Sequence, residues 1–263
     1  MDNRQRMLIR IGNKTLDFAT PLDDTPASVD YEPYVVKSGM SMAANLREAF
    51  REKGIDTDSR QRVQVLCNVP TLIVPIEEYD ESLQEELYDH AYPGRQHEVV
   101  MHQVVPELNC VIVYAVNKDV RMVVTDHFAD ARFMPVIVPV MQRLHQKSYT
   151  GQARKLFAYF HDGELTILSY GKNRLKFCNT FTATETADST YFILYVWQQL
   201  AMDFKHDELY VAGLPDNGTD LRAEVKKYVA NVYPVSASAE LNRAAITQLP
   251  GITYDVIAYL THQ

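Results

Sequence analysis

Apolar runs alternate with turn residues most clearly in residues 155–181, which read KLFAYFHDGELTILSYGKNRLKFCNTF. Three apolar runs are separated by Asp162-Gly163 and by the Gly-Lys-Asn sequence at 171–173. Asp-Gly between two such runs favours a type I′ hairpin turn, because both central residues of that turn need a positive φ. The stretch therefore predicts a three-stranded antiparallel meander.

A long apolar helix follows this meander. Its apolar residues fall nearly all round the helix, which indicates burial on two sides. Farther on, Val225, Tyr228 and Val229 form the i, i+3, i+4 stripe of a second helix. The predicted elements are a helix at 187–204 with Thr184 or Thr186 as its N-cap, a strand at 208–212 and a helix at 221–230.

The first half of the chain repeats this order of strands and helices. Gly12-Asn13 separates two apolar runs as a hairpin turn would, and Ser41 precedes a helix that Gly54 ends. We interpret the acids at 77–86 as the solvated face of an amphipathic helix and its first turn. The predicted elements are strands at 7–11, 16–19, 31–36, 63–67, 71–76, 99–105 and 110–116, and helices at 42–53 and 81–90.

Two later stretches, 120–136 and 221–235, match across the halves. Each opens with an aliphatic residue and Arg, continues with an apolar helical stripe and ends in Pro-Val. Each precedes another predicted helix, at 139–147 and 239–248 respectively. We interpret this as an internal duplication of a β-β-β-α-β-α-β-α unit with a polar boundary at 146–154; chance similarity of two helix–strand units is the alternative. The predicted halves are residues 1–150 and 151–263, each with a mixed five-stranded sheet and flanking helices.

Composition and charge narrow the class of protein. The chain has 263 residues, 46% of them hydrophobic, and carries 34 acids against 26 bases, a net charge of −8. This balance argues against a nucleic-acid footprint and against a polybasic membrane patch. The longest apolar run, 191–197, is far shorter than the roughly 20 residues of a transmembrane helix. No signal peptide opens the chain, so a cytoplasmic protein is expected.

The three cysteines fit a reducing compartment. Cys67, Cys110 and Cys178 are odd in number and widely spaced, which indicates buried thiols rather than a disulfide framework or a zinc site.

Tandem units of a three-strand meander followed by α-β-α elements are the layout of the actin-like ATPase (ribonuclease H-like) superfold. The stretches LIRIGNKTLDFA, TLIVPIEEYDESLQEELYDHAY and KLFAYFHDGELTILSYGKNRLKFCNTF, the last followed by YFILYVWQQL, resemble an uncharacterised bacterial family with that fold. Together they span nearly the whole chain, although none is a catalytic signature. Cytoplasmic actin-like components of pilus and secretion machines resemble the chain more distantly.

The resemblance also implies which chemistry is missing. Active members of the superfold carry Asp-x-Gly at the end of the first strand of each half, and these aspartates act through magnesium. Here the first strand ends Ile9-Arg10-Ile11-Gly12, with a bulky or basic residue in the aspartate place, and its counterpart ends Tyr159-Phe160-His161. The adenosine loop normally needs two adjacent glycines, and here only Gly213 is present. Both phosphate turns are therefore predicted to be lost, and no nucleotide cofactor is expected.

Other groups of polar residues give weaker patterns. A metal site at the histidines of 90–102 is not favoured, because their spacing fits no helical i, i+4 pair. Asp126-His127 lacks the Gly-x-Ser-x-Gly or cysteine context of a catalytic triad. We therefore predict no catalytic, cofactor-binding or metal-binding residue. The residues weighed for a metal were Asp89, His90, His97, Glu98 and His102.

Three functions remain compatible with the sequence. The leading hypothesis is a non-catalytic actin-like binding or scaffold protein that acts through a protein partner or self-association. The alternative is a divergent nucleotide-dependent ATPase or phosphotransferase with its site in the cleft between the halves, and a third is a cleft for another small molecule. In the aromatic helix at 191–202, Tyr195 or Trp197 is a candidate contact with a partner, unless the helix is buried within the monomer.

Overall fold

A computed structural model describes residues 6–22, 29–55, 59–171, 174–213, 218–241 and 244–261. Thirteen strands and eight α-helices occur in these ranges. The strands are β1 (Met7–Ile11), β2 (Thr15–Pro21), β3 (Val29–Val35), β4 (Ser59–Cys67), β5 (Thr71–Pro75), β6 (Glu98–Val105), β7 (Cys110–Asn117), β8 (Phe128–Pro135), β9 (Lys155–His161), β10 (Glu164–Gly171), β11 (Arg174–Thr182), β12 (Glu208–Ala212) and β13 (Asn231–Pro234). The helices are α1 (Met42–Glu52), α2 (Gln84–Ala91), α3 (Lys118–His127), α4 (Ile137–Ser148), α5 (Thr186–Gln199), α6 (Gly218–Val225), α7 (Ala237–Glu240) and α8 (Tyr254–Leu260).

Two five-stranded sheets share one strand order. The first has the order β3-β2-β1-β4-β8 and the second β11-β10-β9-β12-β13. In each sheet, the three strands that come first along the chain pair antiparallel, and the other two join the sheet in parallel. The predicted pair of mixed sheets is therefore confirmed.

The hairpin turn between β9 and β10 has the predicted geometry. Asp162 has φ 48° and Gly163 has φ 82°, the two positive values that a type I′ turn requires. His161 and Glu164 are the last paired residues before this two-residue loop.

A third, smaller sheet has the antiparallel order β5-β7-β6. One of its faces packs under α2, where Tyr88 lies against Val113 and Ala115. The sequence predicted the strands and the helix, but it did not separate them from the first five-stranded sheet.

The chain forms two compact units. One unit contains the described residues of 1–106, 110–139 and 244–263, and the other those of 107–109 and 140–243. In the first unit, α1 and α3 cover one face of the sheet, whereas Val256 and Leu260 of α8 pack against Leu8. In the second unit, Trp197 of α5 joins the core formed on β9 and β12. The assignment of 1–150 and 151–263 as consecutive halves stays a prediction.

The ends of several helices differ from the sequence prediction. Helix α5 ends at Gln199 rather than 204, because Ala201 has φ 48° and its amide donates a hydrogen bond to Gln198 O. Neither proposed threonine caps it, since the N-cap is Glu185 without a side-chain hydrogen bond. Helix α6 stops at Val225 instead of 230. In the described part of the segment predicted as a helix at 239–248, the helical residues are the end of α7 and a 3₁₀ turn at Ala245–Gln248.

Candidate functional site

The end of β1, where the active superfold carries an aspartate, holds a buried arginine. Arg10 is 1% exposed. Its Nε donates to Asp255 Oδ2 of α8 at 2.8 Å, and its Nη1 lies 3.6 Å from Asp17 Oδ2 of β2. Both carboxylates are also buried. Because a lone buried charge is very costly, the arginine is paired with both acids in one buried cluster.

Hydroxyl groups complete this cluster. The Tyr31 hydroxyl donates to Asp17 Oδ1 at 3.1 Å, and the Thr15 hydroxyl donates to Asp17 Oδ2 at 3.2 Å. Burial raises the pKa of the Asp17 carboxyl, while the Arg10 guanidinium and these hydrogen bonds oppose the rise. Burial beside Asp17 also raises the pKa of Tyr31. The polar groups are thus turned towards one another inside the protein.

The end of β9 is filled by aromatic, imidazole and hydroxyl groups, with the Asp162 and Glu164 carboxylates 4.0 and 3.9 Å from His161 Nδ1. Tyr159 is 1% exposed, and its ring stacks on that of His161 with the centroids 4.7 Å apart. His161 Nε2 lies 3.0 Å from the Thr166 hydroxyl, which lies 2.8 Å from the Thr180 hydroxyl. Asp162 occupies the adjoining hairpin turn, where a positive φ accounts for its presence.

Gly213, the glycine in the place of the adenosine loop, is packed against β9. A Cβ at this position would lie 2.2 Å from Phe160 O and 2.9 Å from Tyr159 Cε2. Its φ is +60°. The absence of a side chain here allows a close approach between two segments of the protein itself.

The histidines weighed as metal ligands have separate neighbours. His97 Nε2 lies 3.0 Å from Asp119 Oδ1, and His102 Nδ1 lies 3.1 Å from Gln84 Oε1. His90 is exposed on α2. Among the described residues, no group of three or more His, Cys, Asp or Glu side chains is arranged to hold a metal ion.

The aromatic helix α5 presents one exposed pair of rings. Tyr191 and Tyr195 are 62% and 45% exposed and stack with centroids 6.1 Å apart. Trp197 is fully buried in the core of its unit, so the expectation that it contacts a partner is wrong. The periodicity of an all-apolar helix could not separate these positions, because that choice depends on what packs against each side.

The cysteines and the helices add two observations. All three cysteines are free, and burial raises the pKa of the Cys67 thiol to about 12. None of the described helices combines the length and the apolar character needed to cross a membrane.

The sheet order and the helical layers define an α/β protein of the actin-like class. A crystal structure from Bacteroides thetaiotaomicron VPI-5482, a protein with actin-like ATPase fold and unknown function, is similar with a TM-score of 0.83 and 25% identity over 97% of this chain and 95% of that one. The PilM-PilN type IV pilus biogenesis complex gives a TM-score of 0.61 and 13% identity, covering 98% and 97%.

A family assignment follows from the sequence itself. Residues 2–232 match the model of the family described as "Protein of unknown function (DUF3822)". Because the match covers most of the chain, the protein belongs to this family. No curated protein sequence matches the chain. The resemblance inferred from the residues is confirmed, both for the family and for the fold.

Proposed function

We propose that this protein is a non-catalytic actin-like protein that works by binding other proteins. The main support is the buried cluster at the end of β1, where Arg10 takes the place of the aspartate and donates a hydrogen bond to Asp255. In an active member, that carboxylate would act through magnesium on the nucleotide. A guanidinium cannot coordinate a metal ion, and here it already pairs with two buried acids.

The second unit supports the same proposal through different contacts. The large ring of Tyr159 lies where the corresponding aspartate would be, and Gly213 is in contact with that ring. A phosphate needs backbone amides that it can approach closely, usually in a glycine-rich turn. Asp162 and Gly163 instead form the two-residue turn that joins β9 and β10.

A protein-binding role fits the kind of fold neighbour that the chain has. One structurally similar assembly is the PilM-PilN complex, in which the actin-like fold occurs in a biogenesis complex. On this chain, the exposed Tyr191 and Tyr195 offer aromatic surface of the type that dominates interface energetics. We place this activity in the cytoplasm, and we attribute the shared sheet order to an internal duplication.

Calorimetric titration of the full chain with ATP and Mg²⁺ tests the non-catalytic assignment. We expect no binding heat at millimolar nucleotide and no stabilisation against heat, because stabilisation scales with RT ln(1 + [L]/Kd). Phosphate release from ATP should equal that of the buffer. A micromolar Kd for ATP·Mg²⁺, or turnover that saturates with ATP, would instead support the divergent ATPase or phosphotransferase.

A further inference from the structure

The outer edge of β6 is a sheet edge to which no described strand pairs. Its sequence, Glu-Val-Val-Met-His-Gln-Val-Val, has no Pro, Lys or Arg. Such an edge offers a row of backbone donors and acceptors that another strand can use.

The hydrogen-bond pattern identifies the backbone groups that point outwards. The Lys118 amide donates to His97 O at 2.9 Å, and Glu98 pairs with Asn117 in the antiparallel register. Because bonded and non-bonded pairs alternate along such a ladder, odd-numbered residues of β6 face β7 and even-numbered ones face away. The outward amides and carbonyls are those of Glu98, Val100, His102 and Val104. Of these, Val104 O accepts from Gln103 Nε2 at 3.0 Å, so the amide is the open group of Val104.

The other sheet edges among the described strands carry features that discourage strand addition. These features are proline within the strand or charged side chains along it. Edge β11 also contains a register shift opposite Ser169 and Tyr170. The residues concerned are Pro33 of β3, Pro75 of β5, Asp130 and Arg132 of β8, Arg174 and Lys176 of β11, and Pro234 of β13.

The surface beside β6 is strongly acidic. Between residues 76 and 97 the chain has a single Lys or Arg, Arg95. The segment lies beside β6, because the ring of Tyr79 is 5.3 Å from that of His102 and Gln84 contacts the same histidine. The exposed acids of this segment are Glu77, Glu78, Asp80, Glu81, Glu85, Glu86 and Asp89.

Apolar side chains are exposed among these acids. Leu83 and Leu87, one helical turn apart, are 47% and 38% exposed, Ile76 is 36% exposed, and Val104 of β6 itself is 43% exposed. An acidic surface with apolar positions beside an open strand edge is complementary to an extended segment that carries both apolar and basic residues.

We propose that β6 accepts an added strand from a partner protein, an extended segment in which apolar residues alternate with Lys or Arg. This inference rests on the proposed protein-binding function and names the chemistry of the partner. Its backbone would bond the outward groups of Val100, His102 and Val104, and its basic side chains would face the acids of residues 77–89. A second copy of this chain is a poor occupant, since pairing β6 with itself would bring two acidic segments together.

Selection from a displayed library of random twelve-residue peptides, with the full chain as bait, tests the proposal. We expect enriched peptides in which Val, Ile or aromatic residues alternate with Lys or Arg. One enriched peptide is then synthesised with a fluorophore, and its Kd is measured by anisotropy. The absence of any enriched peptide, or enrichment of acidic or non-alternating ones, would overturn the proposal.

Val104→Pro removes one outward N–H while leaving the ladder to β7, and Val104→Thr is its matched control. We expect the proline variant to weaken peptide binding about fivefold or more, because a backbone hydrogen bond is lost and the ring obstructs the edge. The threonine variant should stay within about twofold, since it keeps the amide. Equal affinities for the two variants would rule out strand addition at β6.

Hydrogen exchange gives a readout on the unsubstituted chain, which does not depend on how the proline variant folds. On adding the peptide, the amides of Val100, His102 and Val104 should become protected. Those of Met101 and Gln103, which already face β7, should change little. Protection elsewhere on the chain without protection at these three amides would place the peptide at another surface and contradict the proposal.

The contribution of the acidic residues to peptide binding is tested with two matched double variants. Glu85→Gln with Glu86→Gln removes two charges beside β6, whereas Glu185→Gln with Asp188→Asn removes two at the start of α5. We expect the first pair to weaken binding about threefold at low salt and the second to leave it unchanged. Equal effects would show that only net charge matters. Failure of all peptide binding with no ATP binding would refute this inference alone, whereas ATP turnover would refute the proposed function.

Discussion

The two five-stranded sheets place very different side chains at one equivalent position. Gly12 and His161 are the last paired residues before a two-residue loop in the first and second sheet, respectively. Arg10 and Tyr159 lie two residues before them, opposite Asp17 and Thr166 on the neighbouring strands. In the first sheet this position lies in a buried cluster of an arginine and two acids; in the second it lies among aromatic, imidazole and hydroxyl groups.

This difference shows that one strand order tolerates very different side chains at equivalent positions. In the first sheet, Arg10 needs Asp255 from α8, far along the chain, as its partner. In the second sheet, Tyr159 needs only neighbouring strands and the close approach of Gly213. Removing a partner should therefore cost far more in the first sheet than in the second.

The largest effect is expected from Asp255→Ala. It removes the acid that accepts from Arg10 Nε and leaves Asp17, 3.6 Å from Nη1, opposite the guanidinium. Breaking this buried ion-pair network should lower the free energy of unfolding by about 3 kcal/mol or more. Thr166→Val in the second sheet removes only the hydroxyl contacts to His161 and Thr180 and should cost about 1 kcal/mol. Urea unfolding is followed by circular dichroism and by fluorescence of Trp197, the single tryptophan.

A combined variant is the control for this comparison. Arg10→Met with Asp17→Asn and Asp255→Leu removes all three charges together, and it should recover most of the loss because no unpaired charge remains. If this variant is as unstable as Asp255→Ala, packing rather than charge explains the first result.

The next effect concerns Gly213. Gly213→Ala should lower the free energy of unfolding by about 2–4 kcal/mol, because a left-handed backbone and an overlap with Phe160 O act together. Gly54 has φ +64° with nothing within 4 Å of the added Cβ, so Gly54→Ala should cost only about 1 kcal/mol. Equal losses in urea unfolding would mean that the close contact at Gly213 relaxes without cost.

The helices that follow the two meanders offer a smaller test. Ser41 caps α1 by accepting from the Ala44 amide, whereas Glu185 gives α5 no such bond. Ser41→Ala should therefore lose about 1 kcal/mol, and Glu185→Ser should gain about 0.5 kcal/mol. Destabilisation by Glu185→Ser, measured in the same way, would show that the glutamate has another role.

The smallest effect is one that appears only in mild acid. Burial lowers the pKa of His145 below its usual 6.5, so the unfolded chain binds a proton there before the folded chain does. Stability should therefore fall as the pH decreases below about 6.5, and it should change less in His145→Phe. The difference between the unfolding free energies at pH 7.5 and 5.5 measures this, with exposed His90→Gln as the control. An unchanged pH dependence in His145→Phe would assign it to other groups.

Sequence reasoning succeeded where the physical cause is local. The Asp162-Gly163 turn and the Ser41 cap follow from the conformations and hydrogen bonds of a few consecutive residues. It failed at the end of α5, where Ala201 rather than a glycine takes the left-handed conformation. No residue type signals that choice, because packing of the following chain against the core decides it.

The sequence by itself determined the strands and helices of the two sheets and the family, and it predicted a bulky or basic residue in the place of the superfold's first aspartate. Only the tertiary structure decided what Arg10 does there, since Asp255 lies 245 residues away. It likewise decided that Trp197 is buried while Tyr195 is exposed, and that β6 is an edge. Local patterns record which conformation a segment prefers, whereas burial, charge compensation and edges depend on which distant segments meet.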